Sequence, residues 1–136
     1  MAAEAKRIAA FLRLAEEELR AAQMLARNAP RQSAYFCQQC AEKLARAILA
    51  DAGVPFGPGH NLSQIAGALP DGHPWKSKIN ALDKHSPAAT RFRYPSPTGR
   101  LFDPPAAEQL ASDLSELESL LVEAKRHLAP RSTDTP

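Results

Sequence analysis

The chain has 136 residues, 44% of them hydrophobic and 24% charged, which suits one ordinary globular domain with a core of its own. Its formal net charge of +2 is too small to imply a nucleic-acid partner by itself, so only the placement of charge informs. The opening "MAAEAKRIAAFLRLAEEELR" is charged too early for an export signal, and no apolar run approaches the roughly 18–20 residues that span a bilayer. With two cysteines kept as reduced thiols, a cytoplasmic chain without membrane contact is expected.

Residues 4–28 carry Ile8, Phe11, Leu12, Ala15, Leu19, Ala22 and Leu25 at helical spacing, with Arg13, Glu16, Glu17 and Arg20 opposite. "NAPR" breaks that helix, and Pro30 fits the first turn of a second one. The second helix is expected to reach about Ala52, where Gly53, Pro55, Gly57, Pro58 and Gly59 stop it. "HNLSQIAGAL" predicts a short third helix capped by Asn61, and "WKSKINALDK" a short fourth. From His85 to Asp103 the periodicity lapses and Pro87, Pro95 and Pro97 argue against helix, so a functional or disordered connection is expected. The last helix is predicted to begin with Asp103 as cap and Pro104 in its first turn. Its seam runs through Ala107, Leu110, Leu114, Leu117, Leu121, Ala124 and Leu128. Residues 129–136 read as a disordered tail, and residues 1–128 as one all-α, up-and-down bundle of about five helices.

The second helix carries "YFCQQCAEKLARAIL". Phe36, Cys40, Leu44, Ala47 and Ile48 share one face with Cys37 at its flank, while Gln39, Glu42, Lys43 and Arg46 share the other. A structural zinc site would need two further ligands of suitable spacing, and only scattered His60, His73 and His85 are on offer. A redox pair would want a strand–helix context. Both cysteines therefore read as small buried hydrophobes, with no metal site. The polar stripe reads either as a solvated face or as a row that handles a ligand.

Between residues 84 and 102 stand Lys84, Arg91, Arg93 and Arg100 with no acidic residue among them. "RFRYP" interleaves such charges with Phe92 and Tyr94, a composition suited to phosphate contacts and base stacking. The alternative is that Phe92 and Phe102 pin the loop to the bundle and the arginines are merely solvated.

"AYFCQQCAEKLARAILADAGVPFGPGHNL" followed by "RFRYP" resembles the HEPN domain family, over about residues 5–128. The resemblance carries the Gln-Gln-x-x-Glu-Lys segment, the His before a short helix and the Arg-Tyr-Pro loop onto Gln39, Glu42, Lys43, His60, Arg93 and Tyr94. It implies a helical bundle, commonly a homodimer, linked to nucleotide or RNA binding. It also implies a partner, a minimal nucleotidyltransferase, in pairs that include toxin–antitoxin systems. Other members of the family are ribonucleases with an Arg-x(4–6)-His motif, which is missing here, so no catalytic residue and no cofactor is expected. The expected ligand contacts are Gln39, Glu42, Lys43, Arg46, His60, Arg91, Arg93 and Tyr94. A ribonuclease with a divergent site and a purely structural dimerisation domain remain as alternatives.

Overall fold

Ala2–Leu25 forms α1, whose buried stripe is Ile8, Ala15, Leu19 and Ala22, a spacing that returns to one face of a 3.6-residue helix. The computed structural model describes the backbone of residues 2–57 and 61–133, and the side chains of 3–57 and 61–128. Pro30 starts α2 (Pro30–Asp51), where its missing N–H leaves no intrahelical bond unmade. Ser33 secures the crossing of these two helices by donating from Oγ to the Ala22 carbonyl at 2.6 Å. At the far end of α2, Gly53 takes φ +72°, Gly53 N–H donates to Ala50 O at 3.1 Å, and Val54 N–H donates to Leu49 O at 3.0 Å. This is a Schellman stop, and it needs glycine at the left-handed position.

α3 (Leu62–Ala68) opens on the expected cap. Asn61 accepts from Gln64 N–H at 3.0 Å, and the Gln64 side chain accepts from Asn61 N–H at 3.0 Å, a reciprocal capping box. α4 (Lys76–Ala81) runs directly into a 3₁₀ turn, Leu82–His85. That turn also serves α3, because Ser86 Oγ accepts from Leu62 N–H and Asp83 Oδ1 accepts from Ser63 N–H.

Three features differ from the sequence expectation. The segment after His85 holds a one-turn helix, α5 (Ala88–Arg91), with Pro87 as its N-cap and the Pro87 carbonyl accepting from Arg91 N–H at 2.8 Å. Pro87 thus stands just ahead of the first turn, where its missing N–H breaks no bond, rather than inside a helix. The last helix, α6 (Ala107–Thr133), begins four residues after Asp103. Asp103 is not its cap, because Pro105 pushes Pro104 out of the helical region. Leu110 N–H donates instead to Ala106 O at 2.9 Å. The helix also continues past 128, through Thr133.

Every regular element among the described residues is a helix, and none is a strand. α2 packs against α1, α3, the 3₁₀ turn, α5 and α6, and α1 also meets α6. One core gathers their buried faces, with Leu44, Ile48, Ile65, Ile79 and Leu117 fully enclosed. This helical bundle makes α2 its central wall. No helix among the described residues is long and apolar enough to cross a membrane.

Candidate functional site

The apolar face of α2 takes both cysteines inward. Cys37 and Cys40 are buried and unbridged, and burial pushes each thiol up to about 12, so neither supplies a thiolate at neutral pH. Among the described residues no group of three His, Cys, Asp or Glu side chains is arranged to hold a metal ion.

The polar stripe is neither a solvated face nor an open row of donors. It is a ladder closed on itself. Gln39 Nε2 donates to Gln38 Oε1 at 2.6 Å, and Gln38 Nε2 to Glu42 Oε1 at 3.2 Å. Lys43 Nζ reaches Gln39 Oε1 at 3.2 Å and Glu18 Oε1, on α1, at 3.1 Å. Arg46 donates from Nε to Glu42 Oε2 at 3.1 Å, and from its two terminal nitrogens to the carbonyls of Phe56 and Gly57. Lys43 and Arg46 are part-buried, and each is neutralised by a part-buried carboxylate. Gln38, absent from the sequence expectation, is the most buried member at 4% exposure. Burial raises the Glu18 pKa even though Lys43 pulls it down, and Glu18 Oε2 is buried without a hydrogen-bond partner. Arg46 tethers residues 56 and 57, which lead toward His60; His60 itself lies outside the described residues.

The basic loop is a built element. Thr90 O accepts from Arg93 and Tyr94 N–H, while Ser96 closes a turn with Gly99 and Arg100, Gly99 standing at φ +83°. Arg31, in the first turn of α2, donates from Nε to Phe102 O at 2.7 Å and holds the loop's far end. The Arg93 guanidinium lies 5.3 Å from the Tyr35 ring centroid and 5.4 Å from that of Tyr94. Arg91 lies 5.4 Å from the ring of Phe102. Arg91, Arg93, Tyr94 and Arg100 are exposed, and none of the three arginines forms an ion pair among the described residues. Lys84 behaves otherwise. Its Nζ sits 3.4 Å from Asp113 and 3.1 Å from Glu116, both on α6, so the apparent row of four free cations contains three.

Tyr35 places the loop at the amino-terminal end of α2. Lys43 and Arg46 follow it by eight and eleven residues, about 12 and 16 Å along the axis. The structure therefore brings Arg91, Arg93 and Tyr94 together, and separately brings Gln39, Glu42, Lys43 and Arg46 together.

Beside the loop is a recess of about 480 Å³ between α2, the His85–Arg91 segment and the start of α6. His85 and Arg91 both line it, as does Asp113. His85 is 6% exposed, its Nε2 has no hydrogen-bond partner, and burial lowers its pKa more than Asp113 raises it. The imidazole is neutral near pH 7. Sequence reasoning missed this recess, because Lys84, His85 and Arg91 meet Gln109 and Asp113 only through the return of α6. The available signal was local: His85 and Arg91 stand six residues apart across a single proline.

No match is found among curated proteins or among solved structures. The HEPN domain family matches residues 8–128, which takes in all of α2 with its ladder, the basic loop and most of α1 and α6. With most of its length so matched, the chain belongs to the HEPN domain family.

Proposed function

We propose that this HEPN domain is a nucleotide- or RNA-binding module. Arg91 and Arg93 meet phosphate and Tyr94 stacks against a base. The observation that carries the reading is that both guanidinium groups are exposed, lack a carboxylate partner, and each stands over an aromatic ring. An arginine held this way keeps its donors for a planar anion while its ring neighbour offers a stacking face. Gln39, Glu42, Lys43 and Arg46 serve as the scaffold behind the site, since their charges are spent on one another and on Glu18. In keeping with the family resemblance, the module acts with a partner protein, a minimal nucleotidyltransferase in a toxin–antitoxin-like pair, and as a homodimer.

Titration with short single-stranded RNA tests the binding part. Arg91→Ala and Arg93→Ala should each weaken binding by about 1.5–3 kcal/mol, the worth of a charge-assisted contact. Equal binding by both variants and the wild-type protein would remove the loop from the site. The partner part is tested by co-expression with a nucleotidyltransferase encoded beside it, where failure to co-purify would count against the pair.

A further inference from the structure

We propose that the basic surface continues from the loop onto the turn between α1 and α2. One end of the bundle then forms a track for a single RNA strand several nucleotides long, with Arg27 as its outer phosphate contact. The inference rests on the RNA reading above and extends the site past the loop, where a mononucleotide or a very short strand would stop.

Two stretches of the chain, residues 19–41 and 84–102, hold none of its 15 acidic residues. They are distant in sequence and meet at the amino-terminal end of α2. Arg31 Nε donates to Phe102 O at 2.7 Å, and the Arg93 guanidinium lies 5.3 Å from the Tyr35 ring centroid. Arg27 is exposed in the turn that leads from α1 into α2, with exposed Asn28 beside it. Gln32, the one exposed residue of α2, follows Arg31 and stands one helical turn before Tyr35.

Charge at this end is arranged unlike charge elsewhere. Arg13 is paired with Glu17, Lys43 with Glu18, Lys78 with Glu123 and Lys125 with Glu16. Lys84, which opens the second stretch, is likewise taken by Asp113 and Glu116. Arg27, Arg31, Arg91, Arg93 and Arg100 form no ion pair among the described residues. Arg31 uses Nε on Phe102 and keeps its two terminal nitrogens. Like charges gathered without carboxylates repel one another, and a polyanion relieves that repulsion. Carboxylates mark the limits of the face. Asp103 follows Phe102, Glu108 stands in the first turn of α6, Glu118 accepts from Gln23 at 3.3 Å, and Glu16 and Glu17 lie beside Arg20. A polyanion is repelled along those flanks and held to the strip between loop and turn.

The groups among these cations select the kind of polyanion. Tyr94 and Phe102 are exposed rings, and Asn28 and Gln32 are exposed amides. Guanidinium groups suit phosphates, rings suit the faces of unstacked bases, and amides suit base edges. A single strand offers all three. A duplex hides the faces of its bases, and an acidic peptide would engage the arginines and leave the rings and amides idle.

The test is titration by fluorescence anisotropy with three probes. A 5′-phosphorylated RNA trinucleotide, the short strand, has phosphates enough for the loop arginines alone. An RNA decanucleotide is long enough to go on to the turn, and a decaglutamate peptide stands for an acidic protein. The proteins are the wild type, Arg27→Gln and Arg126→Gln. Arg126 is an exposed arginine toward the other end of the bundle, where its neighbour His127 faces Asp51 at the close of α2. The decanucleotide should bind the wild type more than about tenfold more tightly than the trinucleotide, beyond what its extra registers supply. Arg27→Gln should lower decanucleotide affinity about tenfold, the effect of one lost charge-assisted contact, and leave the trinucleotide and the melting temperature unchanged. Arg126→Gln should change neither affinity, and decaglutamate should bind more weakly than the decanucleotide. A length gain of tenfold or less, a loss in Arg27→Gln no larger than in Arg126→Gln, or decaglutamate binding as tightly as RNA would overturn the track. If the trinucleotide still binds the wild-type protein in those cases, the loop reading stands and only the extension falls. If neither RNA binds, both fall.

Discussion

His85 lies where packing and chemistry meet. Burial disfavours its charged form, and Lys84 adds to that effect, while Asp113 and Glu116 oppose it without prevailing. Below the ordinary value of 6.5, the unfolded chain takes up a proton that the folded imidazole refuses. The unfolded state then binds more protons, so stability is full above 6.5 and is lost as pH falls toward the depressed folded value. Glu18 acts in the opposite sense, because its pKa is raised: its contribution is present below 4.5 and is lost as pH rises through the raised value. A variant separates the two contributions. His85→Phe should flatten the loss of stability just below 6.5, as read by denaturant unfolding at a series of pH values. An unchanged slope would mean that His85 titrates normally. At this scale the sequence revealed the fate of Cys37 and Cys40, since helical periodicity alone placed them on the apolar face. It did not reveal that Lys84 is neutralised, because its partners stand 29 and 32 residues away, on a helix that returns to it only in three dimensions.

Among the elements, α2 carries the greatest demands, with core on one face and an interlocked polar ladder on the other. Lys43 is the member whose loss is most costly. Removing it leaves the part-buried Glu18, already disfavoured as an anion, without its compensating charge. Lys43→Ala should destabilise the fold by about 1–3 kcal/mol while RNA affinity stays near wild type, a pairing that separates scaffold from contact. Normal stability with lost binding would return Lys43 to the ligand. The Asn61 capping box permits a smaller test. Asn61→Ala should cost about 1 kcal/mol by thermal or denaturant unfolding, with the loss confined to α3 and the turn that supports it. Long helices with a clear apolar stripe, and caps whose residues are adjacent in sequence, were legible. The start of α6 was misjudged, because Asp103-Pro104 reads as a helix start until Pro105 is weighed. α5 escaped notice because a single turn is too short to display periodicity.

Across the whole molecule, the leucine series of α6 is consumed internally. Leu110, Leu117, Leu121 and Leu128 are buried within the protomer's own core. The proposed homodimer must therefore use other surfaces, and exposed Leu14, Met24 and Val122 are available to it. Charge follows a similar logic. A net +2 hides a division between cations paired with carboxylates, such as Lys43, Arg46, Lys78, Lys84 and Lys125, and the unpaired Arg91, Arg93 and Arg100 of the loop. A paired cation releases few counterions when a nucleic acid arrives, because a carboxylate already compensates it. Each arginine that neutralises a phosphate of a single strand contributes a slope of about −0.7 to the dependence of log affinity on log salt. Three loop arginines therefore limit the slope to roughly −2, far shallower than for proteins that lie along a polyanion. Arg93→Ala should reduce it by about 0.7. Tyr94→Ala should weaken binding without altering it, because stacking moves no counterions. The measurement is a salt series of RNA titrations for the wild type and these two variants. A slope near −4 would mean that the paired lysines open to the ligand as well, and the division of charge drawn from the structure would not hold in the complex.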